Sequence, residues 1–215
     1  QRAFSHNLII KLEISSRKGL TATPFWENSS GARTSPYDSK AKDISEHVDR
    51  SKLMRFGREA TDYGFIFNKF NGAFVLESWN KVSKLVEEGI STWGKAFSLE
   101  YVGDAALIKR GRQTIDWELE ARNKDTSSML VKDAFRIDGK KINKKNFRGF
   151  TKFGQEPFFL SNYGLVSLRE NQIDDFDWWK KNRGETQHGK WPRYMLFSLF
   201  ARKNFQTRQD GELAK

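Results

Sequence analysis

Hydrophobic positions along this chain recur mostly with a period of two. The clearest run is Thr114 to Arg122, where Ile115, Trp117, Leu119 and Ala121 fall on one strand face and Thr114, Asp116, Glu118, Glu120 and Arg122 on the other. Such a strand packs with one side and presents acid with the other. Leu8–Ile14 reads as a first strand. Tyr63–Phe70 and Ala73–Ser78 read as a hairpin closed at Asn71-Gly72, a dipeptide that accepts the positive φ of a tight turn. Ala96–Val102, Ser128–Ile137, Phe158–Leu160, Tyr163–Leu168, Phe176–Trp179 and Tyr194–Phe200 complete the strands, with turns at Gly103-Asp104 and Asp138-Gly139. A helical period appears once. Trp79, Val82, Leu85 and Val86 make a stripe that predicts a helix over Ser78–Glu88, with Ser78 as N-cap and Gly89 as C-cap.

From 19 to 51 the chain turns to Ser, Thr, Gly, Pro and charge, with Pro24 and Pro36, and predicts a long irregular loop segment. The stretch 202–215 is polar and reads as a frayed tail. Many short strands with Gly, Asn and Asp turns and one short helix predict an all-β fold, an antiparallel sandwich. At 215 residues, 1–215 is expected to form a single domain with its own core, and a monomer.

Charge changes the picture. A net charge of +11 favours an anionic partner, either nucleic acid or an acidic polymer. The chain has no cysteine, which excludes disulfides, thiolate metal sites and a Cys nucleophile. It has no apolar run long enough for a membrane helix, so no membrane partner is expected. His6, His47 and His188 show no metal-ligand spacing, and no phosphate loop or zinc pattern is present.

The acidic strand is the candidate for chemistry. Residues two apart on a strand lie about 6.5 Å from each other, so Asp116, Glu118 and Glu120 form a ladder. Mutual repulsion in it is expected to raise one pKa and leave a carboxyl able to hold a proton.

In order, the segments resemble the family 16 glycoside hydrolases, the laminarinase and lichenase group. Tyr63-Gly64 through Lys69 is similar to that family's Tyr-Gly strand, and Gly89–Trp93 with Ala96-Phe97 to its Gly-x-Trp-x-x-Phe segment. Thr114-Ile-Asp116-Trp-Glu118 stands at its Glu-x-Asp-x-Glu motif, and Pro192–Phe200 resembles the late strand lining the cleft. The resemblance implies a jelly-roll sandwich, secreted or at the cell surface, that acts on or binds a β-linked polysaccharide. Glu118 would be the acid/base and Asp116 its electrostatic partner, with Trp93, Tyr101, Glu120 and Phe200 contacting sugar. The family's nucleophile position holds Thr114, and retaining hydrolysis needs two carboxyls roughly 5 Å apart, so turnover is expected to be impaired and enzyme status stays open. No cofactor is implied, and Ca²⁺ is left open as a structural ion.

Two other classes compete. Asp104, Glu118 and Glu120 have the order of an acidic core that would hold Mg²⁺ in a nuclease. A non-enzymatic nucleic-acid binder would use Lys140, Lys141, Lys144, Lys145, Arg148, Arg202 and Lys203 with interleaved aromatics. Gly64–Phe70 partly imitates the aromatic spacing of an RNA-binding strand, although strand core is the simpler account of it.

Overall fold

A computed structural model describes residues 4–15, 19–123, 128–143, 158–182, 190–192, 201 and 207–209. The chain groups into two compact units, Gln1–Arg112 with Gly149–Leu165 and Gln113–Arg148 with Val166–Lys215. The fold is rich in β-strand, as the period-two pattern predicts. It also holds helices where the pattern predicts loop or strand.

The first unit is built on β1 (His6–Ser15) and β2 (Gly19–Asn28), which pair antiparallel in the register Leu8↔Trp26, Ile10↔Pro24 and Leu12↔Ala22. Each of these residues is buried, so two matched alternations close one face over the core. The loop expected from residue 19 is therefore a strand of ten residues for its first part. Composition hid it, since Pro24 within a stretch of Ser, Thr, Gly and charge read as a breaker. Pro24 is tolerated because the other edge of β2 pairs with β5 (Ala73–Leu76) only at Leu20–Ala22 and with β3 (Arg33–Thr34) only at Trp26 and Glu27. It falls in the gap between them, where no ladder partner needs its missing N–H. Gly19 has φ +73°, and a Cβ there would overlap the Leu76 carbonyl. The sheet order is β4-β5-β2-β1-β6, with β4 at Ile66–Asn68 and β6 at Ser98–Val102. β6 runs parallel to β1, a departure from the antiparallel expectation.

Among the described residues this unit holds three α-helices. α1 (Arg50–Asp62) starts at Asp49, whose carboxylate accepts from the Ser51 and Lys52 amides. It ends in a Schellman arrangement: Gly64 N–H donates to Thr61 O at 2.8 Å and Phe65 N–H to Ala60 O at 3.0 Å, with Gly64 at φ +87°. Tyr63-Gly64 thus closes a helix and does not open a strand. The predicted stripe Trp79, Val82, Leu85 and Val86 is buried as expected, behind the Ser78 cap. The helix does not stop at Gly89, however. α2 (Trp79–Lys84) passes through a π-helical turn at Leu85–Gly89 into α3 (Ile90–Ala96). A Cβ on Gly89 would lie 2.7 Å from both the Tyr63 ring and the Leu85 side chain, so this glycine serves packing and caps nothing.

In the second unit, β7 (Arg112–Asn123) pairs antiparallel with β8 (Ser128–Ile137) in the register Trp117↔Phe135 and Glu118↔Ala134. Asp138-Gly139 turns the chain into β9 (Lys140–Ile142) with both residues at positive φ, as the sequence predicts. β10 (Phe158–Ser161) falls in the first unit's stretch, β11 (Gly164–Leu168) begins there and ends in the second, and β12 (Lys190–Pro192) pairs antiparallel with β8. β13 (Thr207–Gln209) joins β7 in parallel, inside the stretch expected to fray. Phe176–Trp179, expected as a strand, lies in α4 (Glu170–Asn182). Gln172, Phe176 and Trp179 recur at helical spacing and are buried, a signal masked by the aromatic density of the segment. The strand expected at Tyr194–Phe200 lies outside the described residues.

Candidate functional site

Along β7 the faces separate as predicted: Ile115, Trp117 and Leu119 are buried, Asp116, Glu118 and Glu120 are half-exposed, and Thr114 is exposed. What the sequence concealed is the cation opposite each acid. Arg136 Nε donates to Glu118 Oε2 at 2.8 Å, and its Nη2 lies 4.0 Å from Glu120 Oε1. Lys141 Nζ donates to both oxygens of Glu120, at 2.5 and 2.6 Å. Asp116 pairs with Arg169. Donation to the Glu118 carboxylate pushes the Arg136 guanidinium above its ordinary pKa, as expected for a cation gaining a partner. The mutual repulsion expected of a bare carboxylate ladder is therefore relieved, since each acid on β7 meets a cation, from β8, from β9 or, for Asp116, from Arg169. With Thr114 in the first motif position, this face presents salt bridges and no pair of free carboxyls.

The aromatic positions divide differently. Trp93 is 0 % exposed, enclosed by Phe56, Tyr63, Phe65 and Phe97 at centroid distances of 5.3–6.4 Å, so its ring offers no open face to a sugar. Tyr101 is half-buried with Lys109 Nζ 4.3 Å from its ring centre, and burial raises its phenol pKa. Phe200 lies outside the described residues, as do Lys144, Lys145, Arg148, Arg202 and Lys203. Lys140, Lys141 and Asp104 are exposed. Trp93, Tyr101 and Asp104 belong to the first unit, whereas Thr114, Asp116, Glu118 and Glu120 belong to the second. Among the described residues, no group of three or more His, Asp or Glu is gathered closely enough to hold a metal ion.

An exposed aromatic surface that the pattern assigned to strand core lies at the β4–β5 hairpin. Its loop is Lys69–Gly72: Gly72 N–H donates to Asn68 O at 2.9 Å, and Asn68 Oδ1 accepts from the Phe70 amide at 3.0 Å. This turn throws Phe70 outward, 90 % exposed, with Lys69 Nζ 5.5 Å from its ring centre. Phe67 is 40 % exposed and packs between Tyr37 at 4.6 Å and the buried Phe74 at 5.0 Å. Tyr37 is 44 % exposed and reaches this position because Gly72 has no side chain, a Cβ there lying 2.8 Å from the Tyr37 ring. Ile66 and Met54 add exposed apolar surface to the same unit.

Clefts open among the described residues of this unit, two of them bearing on charge. The larger, of about 530 Å³, is lined by Glu59, Asp62 and Glu88 as well as Lys81 and Lys84, a mixture that disfavours a polyanion. The other, of about 340 Å³, runs from Tyr37 past Trp26 and Leu53 to Met54, with Lys42 and Arg50 in its lining. Neither cation makes an ion pair among the described residues. Asp38, its one acid, caps the Ser39–Lys42 turn by accepting from the Lys40 amide and the Ser39 hydroxyl, and the Lys40 bond holds its pKa below the usual carboxylate range.

No protein-family model, curated protein or solved structure matches this chain.

Proposed function

We propose that this protein binds single-stranded nucleic acid without catalysis, using the β4–β5 hairpin and the surface around Tyr37. One observation carries the reading: Phe70, a large apolar ring, stands 90 % exposed at a hairpin tip beside Lys69. Isolated exposed apolar residues are common, but this ring lies in the same hairpin as Phe67, which packs on Tyr37, and on a chain of net charge +11. Aromatic faces stack on unpaired bases, and nearby cations meet the phosphates between them. The carboxylates of β7 take no part, being neutralised locally by Arg136, Lys141 and Arg169.

A β-linked polysaccharide bound by a jelly-roll sandwich is the second reading. It is favoured by the same exposed rings, which stack on sugars as well as on bases. The two readings part on charge.

The deciding experiment is fluorescence anisotropy with a labelled oligothymidylate, competed by laminarin or lichenan, on the wild type and Phe70→Ala. Loss of one stacking platform is expected to weaken oligonucleotide binding roughly tenfold or more, with the neutral glucans failing to compete. Equal affinity of Phe70→Ala and wild type overturns the proposal. Displacement by laminarin transfers it to the glycan.

A further inference from the structure

We infer that the cleft beside Tyr37 receives one nucleobase of the bound strand, with Lys42 and Arg50 meeting the phosphate next to it. The inference rests on the single-strand reading and assigns that reading a defined subsite. The volume of about 340 Å³ lies at the lower end of small-ligand sites, a size suited to one flat ring and not to a folded partner. Its walls are supplied by Trp26, Tyr37, Leu53 and Met54, a ring-sized apolar slot. Lys42 and Arg50 both lie on the exposed surface, free of ion pairs among the described residues. The one acid present, Asp38, is committed to its own turn and stays ionised there.

Tyr37 joins the cleft to the hairpin. It lines the slot, and its ring also packs 4.6 Å from Phe67, in the same hairpin as Phe70. A strand stacked along Phe70 and Phe67 would therefore meet Tyr37 next. Met54, 69 % exposed on α1, stands at the rim as a flexible apolar edge that can adapt to a ring.

The test compares an oligothymidylate with an abasic oligomer of the same length, titrated against wild type, Tyr37→Leu, Met54→Trp and Lys42→Gln/Arg50→Gln. The wild type is expected to prefer the base-bearing strand about tenfold or more. Tyr37→Leu and Met54→Trp, the first removing a wall and the second filling the slot from an exposed position, are both expected to shrink that ratio severalfold. The double cation variant is expected to flatten the plot of log affinity against log salt by about 0.7, as one lost single-strand phosphate contact requires. An unchanged ratio in Met54→Trp together with an unchanged salt slope overturns the subsite. If Phe70→Ala still weakens binding in that case, the single-strand reading stands without it. If the wild type does not distinguish the two oligomers and Phe70→Ala is silent, both fall.

Discussion

A single carboxylate shows how local partners set both stability and its pH dependence. Asp49 caps α1, and the Ser51 hydroxyl bonded to it, followed by the Lys52 and Ser51 amides, lowers its pKa. A depressed carboxylate contributes stability in full above its unfolded value near 3.9 and loses it as pH falls through the lower folded value. Asp49→Asn, which keeps an acceptor, should therefore match wild type near neutral pH and lose less stability than wild type in acid below about pH 4. Asp49→Ala should cost about 1 kcal/mol at neutral pH. Chemical denaturation across pH separates the three proteins, and parallel acid losses in wild type and Asp49→Asn would refute the assignment. The local pattern did not announce this helix: Leu53, Phe56 and Ala60 follow Asp49 at helical spacing, but the polar stretch before them drowned the signal and read as loop.

Among the elements, Gly89 and Gln172 carry the clearest consequences. Gly89→Ala forces a methyl to within 2.7 Å of the Tyr63 ring and Leu85, and overpacking of that kind costs about 1–3 kcal/mol. A denaturant midpoint equal to wild type would show that the π turn repacks without strain. Gln172, on α4, donates through Nε2 to Trp117 O at 3.0 Å and accepts through Oε1 from Trp117 N–H at 2.9 Å. Both residues are buried, so its side chain stands in for a strand neighbour at that point of β7. Gln172→Leu leaves two backbone groups unpaired at about 1–3 kcal/mol each. Hydrogen exchange at the Trp117 amide should accelerate well beyond that of other β7 amides, and uniform exchange along β7 would count against the role. Nothing in the local sequence announces this bond, because its partners are 55 residues apart.

For the whole molecule, stacking and charge make different demands on salt. If rings and cations act as proposed, Phe70→Ala lowers oligonucleotide affinity by the same factor at every ionic strength, giving lines parallel to wild type. Removing cations changes the slope instead. A Phe70→Ala effect that vanishes at high salt would mean that the +11 charge, and not the ring, holds the strand.

By itself the sequence determined what depends on neighbours along the chain. The alternation that buries Ile115, Trp117 and Leu119 away from the acids, the Asp138-Gly139 turn, and the stripe from Trp79 to Val86 all follow from backbone geometry acting over a few residues. Tertiary structure alone decided what each face meets. It placed Arg136, Lys141 and Arg169 against the β7 carboxylates, enclosed Trp93, supplied β1 as the partner that makes β2 a strand, and set Tyr37 against Phe67. Period two distinguishes one side of a strand from the other; whether that side meets water, a cation or a ring depends on residues distant in the chain, which local spacing does not encode.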